Sequence, residues 1–172
     1  GKRLVYSTIH TERTITLLDI SSRTTLALPN LRYVDQPSIT PDGSHLLFLS
    51  DRAGKSDLWM QPILAGKPRG DPQRIGNQPG HVGTYEVSPD GQWIAFFGKF
   101  NGRRDLWLMP MDGGLARRIT DDATTHWQPT WSPDGKYLAY VADDENESQI
   151  WIVPVADGQV AGPARKITHE HV

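Results

Sequence analysis

Three histidines and a tryptophan carry the most suggestive chemistry in this chain. His81, His126 and His171 fall at one phase of an internal repeat, and Trp127 stands beside the second of them. Imidazoles brought together can hold a metal ion or an anionic ligand, since a neutral ring nitrogen is a ligand and a protonated ring is a cation. These four residues form the candidate binding cluster; histidines that line loops or cap strand ends would show the same spacing. No residue is assigned a catalytic or metal-ligating role, and no cofactor is expected. The other candidates are weaker. DDENES (143–148) alternates oxygen ligands that suit calcium, but it lacks the glycine and distant glutamate of an EF-hand loop and reads as a solvated hairpin tip. Within it, Asn146-Glu147-Ser148 is a glycosylation acceptor triplet. Ser88 and Ser132 sit in no nucleophile elbow. AGKS (53–56) has Leu49 where a phosphate loop requires glycine, and RGD (69–71) is short enough to arise by chance.

What would position such residues is a repeat. TPDG ends at Gly43, and SPDG ends at Gly91 and again at Gly135, spacings of 48 and 44 residues. Each glycine is followed 16 residues later by a tryptophan (Trp59, Trp107, Trp151), and three residues beyond that by a proline (Pro62, Pro110, Pro154). Each unit then closes on a basic-apolar phrase, PQRIG (72–76), ARRIT (116–120) or ARKIT (164–168). The N-terminus fits the same ladder: GKRLVYST aligns with GKYLAYVA from Gly135, and ITLLDI (15–20) with IWIVPV (150–155). The first unit therefore lacks the segment before its turn.

Each unit reads as four short strands. The runs LLFLS (46–50) and WIAFF (93–97) are β-rich and almost continuously apolar, which means burial on both faces rather than one wet face. Proline, aspartate and glycine suit successive positions of a type I turn closed by a left-handed residue, and the preceding Ser or Thr can bond back to the turn backbone. Asn101-Gly102 is the sharpest hairpin signal. The prolines late in the third strand are expected to mark a strand end or bulge. The recurring tryptophans mark packing between units.

Four-stranded units with two apolar faces must stack, and the radial stack that also protects strand edges is a β-propeller. The fold class expected is all-β, about four four-stranded antiparallel blades with the first incomplete, forming part of a larger propeller. The boundaries read as one propeller segment over 1–172: a partial blade at about 1–30, blades at about 31–77, 78–121 and 122–168, and the start of a further inner strand at 169–172. Residues entering inner strands gather at one mouth of the central channel, which is where the histidines would converge.

QPTWSPDGKYLAYVADDENESQIWIVPV together with ARKIT resembles the WD-like propeller repeat of the TolB family, and also the propellers of tricorn protease and prolyl oligopeptidase-type peptidases. The resemblance implies a TolB-like, non-catalytic scaffold for protein–protein interaction in a periplasmic or extracytoplasmic setting. As an alternative it implies the propeller of an enzyme: the gating domain of a peptidase or hydrolase, or a lyase-like metal site in the channel. Relatives of this type have six or more blades, which implies either a larger propeller or self-association that completes one.

Composition narrows the partners. With 18 basic against 20 acidic residues, a net charge of −2, 37% hydrophobic and 22% charged residues, the chain reads as globular and as no ligand for nucleic acid. The absence of cysteine excludes disulfides and thiolate chemistry, and no apolar run reaches the length of a membrane span, so no membrane insertion is expected. Another protein is the expected partner. Basic tips (Lys55, Lys99, Arg103, Arg104) and an acidic one (Asp143 to Glu147) would give an asymmetric rim for oriented recognition.

Overall fold

A computed structural model of the chain describes residues 3–9, 13–19, 23–28, 34–76, 80–122, 124–144 and 147–168. All regular structure among the described residues is β. The chain divides into two compact units, Gly1–Ile75 and Gly76–Val172.

The first unit holds two antiparallel sheets. Strands β1 (Arg3–Ile9), β2 (Arg13–Asp19) and β3 (Thr24–Leu28) form a three-stranded meander, the first blade. The second blade runs β4 (Val34–Ile39), β5 (His45–Ser50) and β6 (Asp57–Leu64), with β7 (Lys67–Pro68) and β8 (Gln73–Arg74) both paired to β6. Ile15, Leu17 and Leu28 of the first blade pack on Leu46, Phe48 and Ile63 of the second, with Trp59 against the same cluster.

The second unit repeats the plan. The third blade has β9 (His81–Val87), β10 (Trp93–Phe100), β11 (Arg103–Pro110) and β12 (Arg117–Arg118) in sequence order. The fourth has β13 (Thr125–Trp131), β14 (Tyr137–Asp144) and β15 (Glu147–Ala156), with β16 (Gln159–Val160) and β17 (Arg165–Lys166) both paired to β15. Ala95, Leu106 and Leu108 of the third blade meet Leu138, Tyr140, Val153 and Val155 of the fourth, with Trp151 alongside.

The turn between first and second strands is built the same way three times. Thr40, Ser88 and Ser132 each donate a side-chain hydrogen bond to the carboxylate two residues on, Asp42, Asp90 and Asp134, at 2.6, 2.5 and 2.6 Å. The same hydroxyls accept the backbone N–H of His45, Trp93 and Tyr137. Gly43, Gly91 and Gly135 close the turn at φ 74, 72 and 70°, a region costly for any residue with a Cβ. Asn101-Gly102 forms the expected hairpin, both residues at positive φ.

The prolines meet the expectation only in part. Pro110 ends β11, but β6 and β15 run two residues past Pro62 and Pro154. The carbonyls of Pro62 and Pro154 accept from Arg69 and Ala161, so their nitrogens face the outer edge in the gap between β7 and β8 or β16 and β17, where no ladder donor is required. The extensions turn back through Ala65-Gly66 and Asp157-Gly158, again at positive φ.

Candidate functional site

The inner strands do not run straight. In each of β4, β9 and β13 two residues oppose one on the neighbouring strand: Gln36-Pro37 face Phe48, Gly83-Thr84 face Phe97, and Gln128-Pro129 face Tyr140. Such a bulge bends a strand and re-aims the side chains beyond it. Gln36 and Gln128 take positive φ at these points.

Those registers place the candidate residues. His126 pairs with Ala142, whereas His81 pairs with Lys99, one step further along its strand than the equivalent pair Val82–Gly98. Val82 is therefore the counterpart of His126, and His81 the counterpart of Thr125. Since side chains alternate across a strand, one residue of slip turns a side chain to the other face. His81 is accordingly exposed, Val82 buried, and His126 fully buried. His171 lies outside the described residues. Trp127 follows His126 on the opposite face and is 36% exposed. No group of three His, Cys, Asp or Glu residues able to hold a metal occurs among the described residues.

His126 is bound from several sides. Its Nε2 meets Thr124 Oγ1 at 2.9 Å and Asp122 Oδ1 at 3.1 Å, its Nδ1 stands 4.0 Å from Asp105 Oδ1, and Tyr140 packs against the ring edge-on at 5.5 Å between centroids. Asp105 is itself buried near the start of β11, where Thr120 donates to it at 3.2 Å and Arg103 and Arg118 lie 3.6 and 3.7 Å away. Arg118 also bonds Asp121, and Arg103 donates to the Asp122 carbonyl at 2.6 Å. Partial burial pushes the Asp122 carboxyl up, but hydrogen bonds from Thr124 and His126 together outweigh it and hold the group below its ordinary range. Burial, with the Asp122 charge, pushes the Tyr140 phenol up to about 12. This assembly is a polar latch tying β11 to the loop that leads into β13. A second tie is Glu86, whose carboxylate accepts the Trp131 backbone N–H at 2.7 Å.

The latch has counterparts that the sequence reading passed over. Asp57, Asp105 and Gln149 occupy one position two residues before the repeated tryptophans, and all three are buried. Asp57 pairs with Lys55 and Arg74, both at 3.3 Å; Gln149 accepts from Thr168 as Asp105 does from Thr120. The signal was in the letters: DLW stands in the third strand of the second and third blades, which carry the acid, and QIW in that of the fourth. Lys55 and Arg103, counted above as basic tip residues, spend their charge on these buried carboxylates. The lesser candidates are turn residues: Gly54 donates to the Asp51 carbonyl, Gly70 accepts from the Gln61 side chain, and Ser148 donates to Asp143 across the β14–β15 hairpin. Asn146 lies outside the described residues.

Repeated four-stranded antiparallel sheets, stacked face on face with this turn at each first corner, are propeller blades. The sequence matches the TolB beta propeller domain over residues 68–170, more than half of the chain, which belongs to that family. Among solved structures it is similar to TolB from Acinetobacter baumannii (22% identity, TM-score 0.76), covering 90% of this chain and 38% of that one. It is similar to a putative TolB from Agrobacterium tumefaciens (23%, 0.79), covering 96% and 61%, and to the tricorn protease (15%, 0.64), covering 91% and 17%. The chain thus spans less than two thirds of the length of each. A comparison with curated protein sequences finds no match.

Proposed function

We propose that this chain is a non-catalytic propeller scaffold that recognises another protein, with Trp127 as an anchor. The supporting observation is the contrast between two neighbours on β13. His126 is wholly enclosed and bonded to Asp122 and Thr124, so its ring serves the blade rather than a ligand. Trp127, one residue on, presents a large amphipathic surface beside the positive-φ Gln128 of the bulge. Exposed tryptophans on rigid strands are favoured anchors in protein recognition, because they cover much area for little lost freedom. The alternative, a propeller that serves a peptidase or hydrolase, is supported by the likeness to the tricorn protease. Selection of binding peptides from a random library, followed by mass analysis of each peptide after incubation, separates the two. The scaffold reading expects peptides that bind, remain intact, and lose at least tenfold affinity with Trp127→Ala. Cleaved peptides, or binding indifferent to Trp127, would overturn it.

A further inference from the structure

Three basic residues stand in one line across the third blade. His81 of β9 pairs with Lys99 of β10, and Lys99 pairs with Arg104 of β11. Directly paired residues share a face, and neighbouring strands lie roughly 5 Å apart, so the row is about 10 Å long. All three residues are exposed. A Cβ on Gly80 would stand 2.1 Å from the Lys99 carbonyl oxygen, and this close approach keeps His81 beside Lys99. The row continues the face of Phe97–Leu106, which the fourth blade covers, so its exposure belongs to the hairpin tip and not to an uncovered side.

The blade does not require this row. The same positions on the fourth blade are Thr125, Asp143 and Ser148, where Ser148 donates to Asp143 at 2.7 Å. That pair satisfies itself, whereas two cations directly opposite each other repel. Nor is the charge neutralised locally. Arg103 and Arg118 lie against Asp105, but His81, Lys99 and Arg104 have no ion pair among the described residues.

We propose that the row His81–Lys99–Arg104 docks an acidic, extended segment of a partner protein, taking two of its carboxylates. This rests on the scaffold reading and adds the partner's chemistry at a surface on a different blade from Trp127. Charge and spacing select the occupant. Alternate side chains of an extended segment point the same way roughly 7 Å apart, so two carboxylates fit within the row. Arg104 can hold a carboxylate through two N–H groups, Lys99 acts as a point charge, and His81 offers a ring N–H.

The fourth blade supplies the test. Fluorescence anisotropy at physiological salt follows a dye-labelled peptide with glutamate at alternate positions, against one with glutamine in their place. The acidic peptide is expected to bind, the glutamine peptide is not, and added salt should weaken the binding. Lys99→Asp combined with Arg104→Ser gives the third blade the fourth blade's own pair. That variant is expected to lose roughly tenfold or more in affinity, while its thermal midpoint stays level or rises because the repulsion is gone. Arg117→Glu is the control. Arg117 is exposed and pairs with Leu108, four residues along β11 from Arg104, beyond the roughly 8 Å over which exposed charges act at this salt. It is expected to leave binding nearly unchanged. An acidic peptide that does not bind, a glutamine peptide that binds as well, or an equal loss with Arg117→Glu would each overturn the proposal. A fall in the thermal midpoint of the double variant would show that the row serves the fold, and overturns it too. None of these outcomes bears on peptides that depend on Trp127, so this row and the scaffold reading fail separately.

Discussion

The third and fourth blades are nearly the same object in different company. Both carry the hydroxyl–carboxylate turn, the tryptophan on the third strand, and a closing threonine whose hydroxyl accepts a backbone N–H at 3.0 Å, from Leu106 in one and Ile150 in the other. The difference is cover. Leu106 is fully enclosed by the fourth blade, whereas Ile150 is 40% exposed. Local sequence therefore makes a blade, and the neighbouring blade makes its core; a repeat architecture draws its stability from the joints.

Substitutions can break this comparison. Leu106→Ala removes side-chain atoms from a closed joint and is expected to lower unfolding stability by about 3 kcal/mol; Ile150→Ala, at the same position of the open face, by less than about 1 kcal/mol. Urea denaturation of the two variants at low concentration checks it, and equal losses would count against the joint. The polar latch gives a smaller effect. Asp105→Ala removes a buried acceptor from Thr120 and the carboxylate facing Arg103 and Arg118 and is expected to cost about 2 kcal/mol, while Gln149→Ala, the neutral counterpart, is expected to cost about 1 kcal/mol.

A similar effect concerns the β15–β16 hairpin. A Cβ on Gly158 would stand 2.1 Å from the Trp93 ring of the third blade, at a backbone φ of 67°. Gly158→Ala is expected to cost about 2 kcal/mol and Gly54→Ala, at φ 90° with open space around it, about 1 kcal/mol, both read as shifts in thermal midpoint.

Acid should act gently on the turns. Hydrogen bonds from Thr40 and Ser44 lower Asp42 from 3.8 to about 2, and bonds from Ser132 and Lys136 hold Asp134 low as well. Their folded values lie below their unfolded ones, so their stabilising contribution is complete above about pH 4 and drains away as pH falls toward 2. The carboxylates are exposed, so each contribution is small. Thermal midpoints followed between pH 6 and pH 2 are expected to fall only below about pH 4, and to fall less in Asp42→Asn.

The blades were legible because glycine, tryptophan and proline recur at fixed offsets, each for a local reason. The turn needs a left-handed residue after Asp42, Asp90 and Asp134, and no partner from elsewhere alters that. The site was harder. His126 stands seven residues after Ile119 but His81 only six after Ile75, though the two isoleucines are structurally equivalent, each donating to the carbonyl of the residue just before its tryptophan. One residue of loop length reverses a strand's faces, and nothing in the letters says which loop absorbs the difference. The bulges were more accessible, since Gln-Pro stands at both Gln36 and Gln128. The latch was hidden because Asp105 and His126 are far apart in sequence, and only the register of β11 against β12 brings Arg118 over both Asp105 and the loop to β13.

The most direct test is hydrogen exchange at two amides that make the same bond. Leu106 N–H donates to Thr120 Oγ1, and Ile150 N–H to Thr168 Oγ1, at equal distance. Exchange by NMR or mass spectrometry in dilute protein is expected to be at least a hundredfold slower at Leu106, since only that amide sits behind a closed joint. Equal exchange at the two would mean that the blade itself, and not its neighbour, supplies the protection, and would contradict the reading of this chain as a propeller held by its joints.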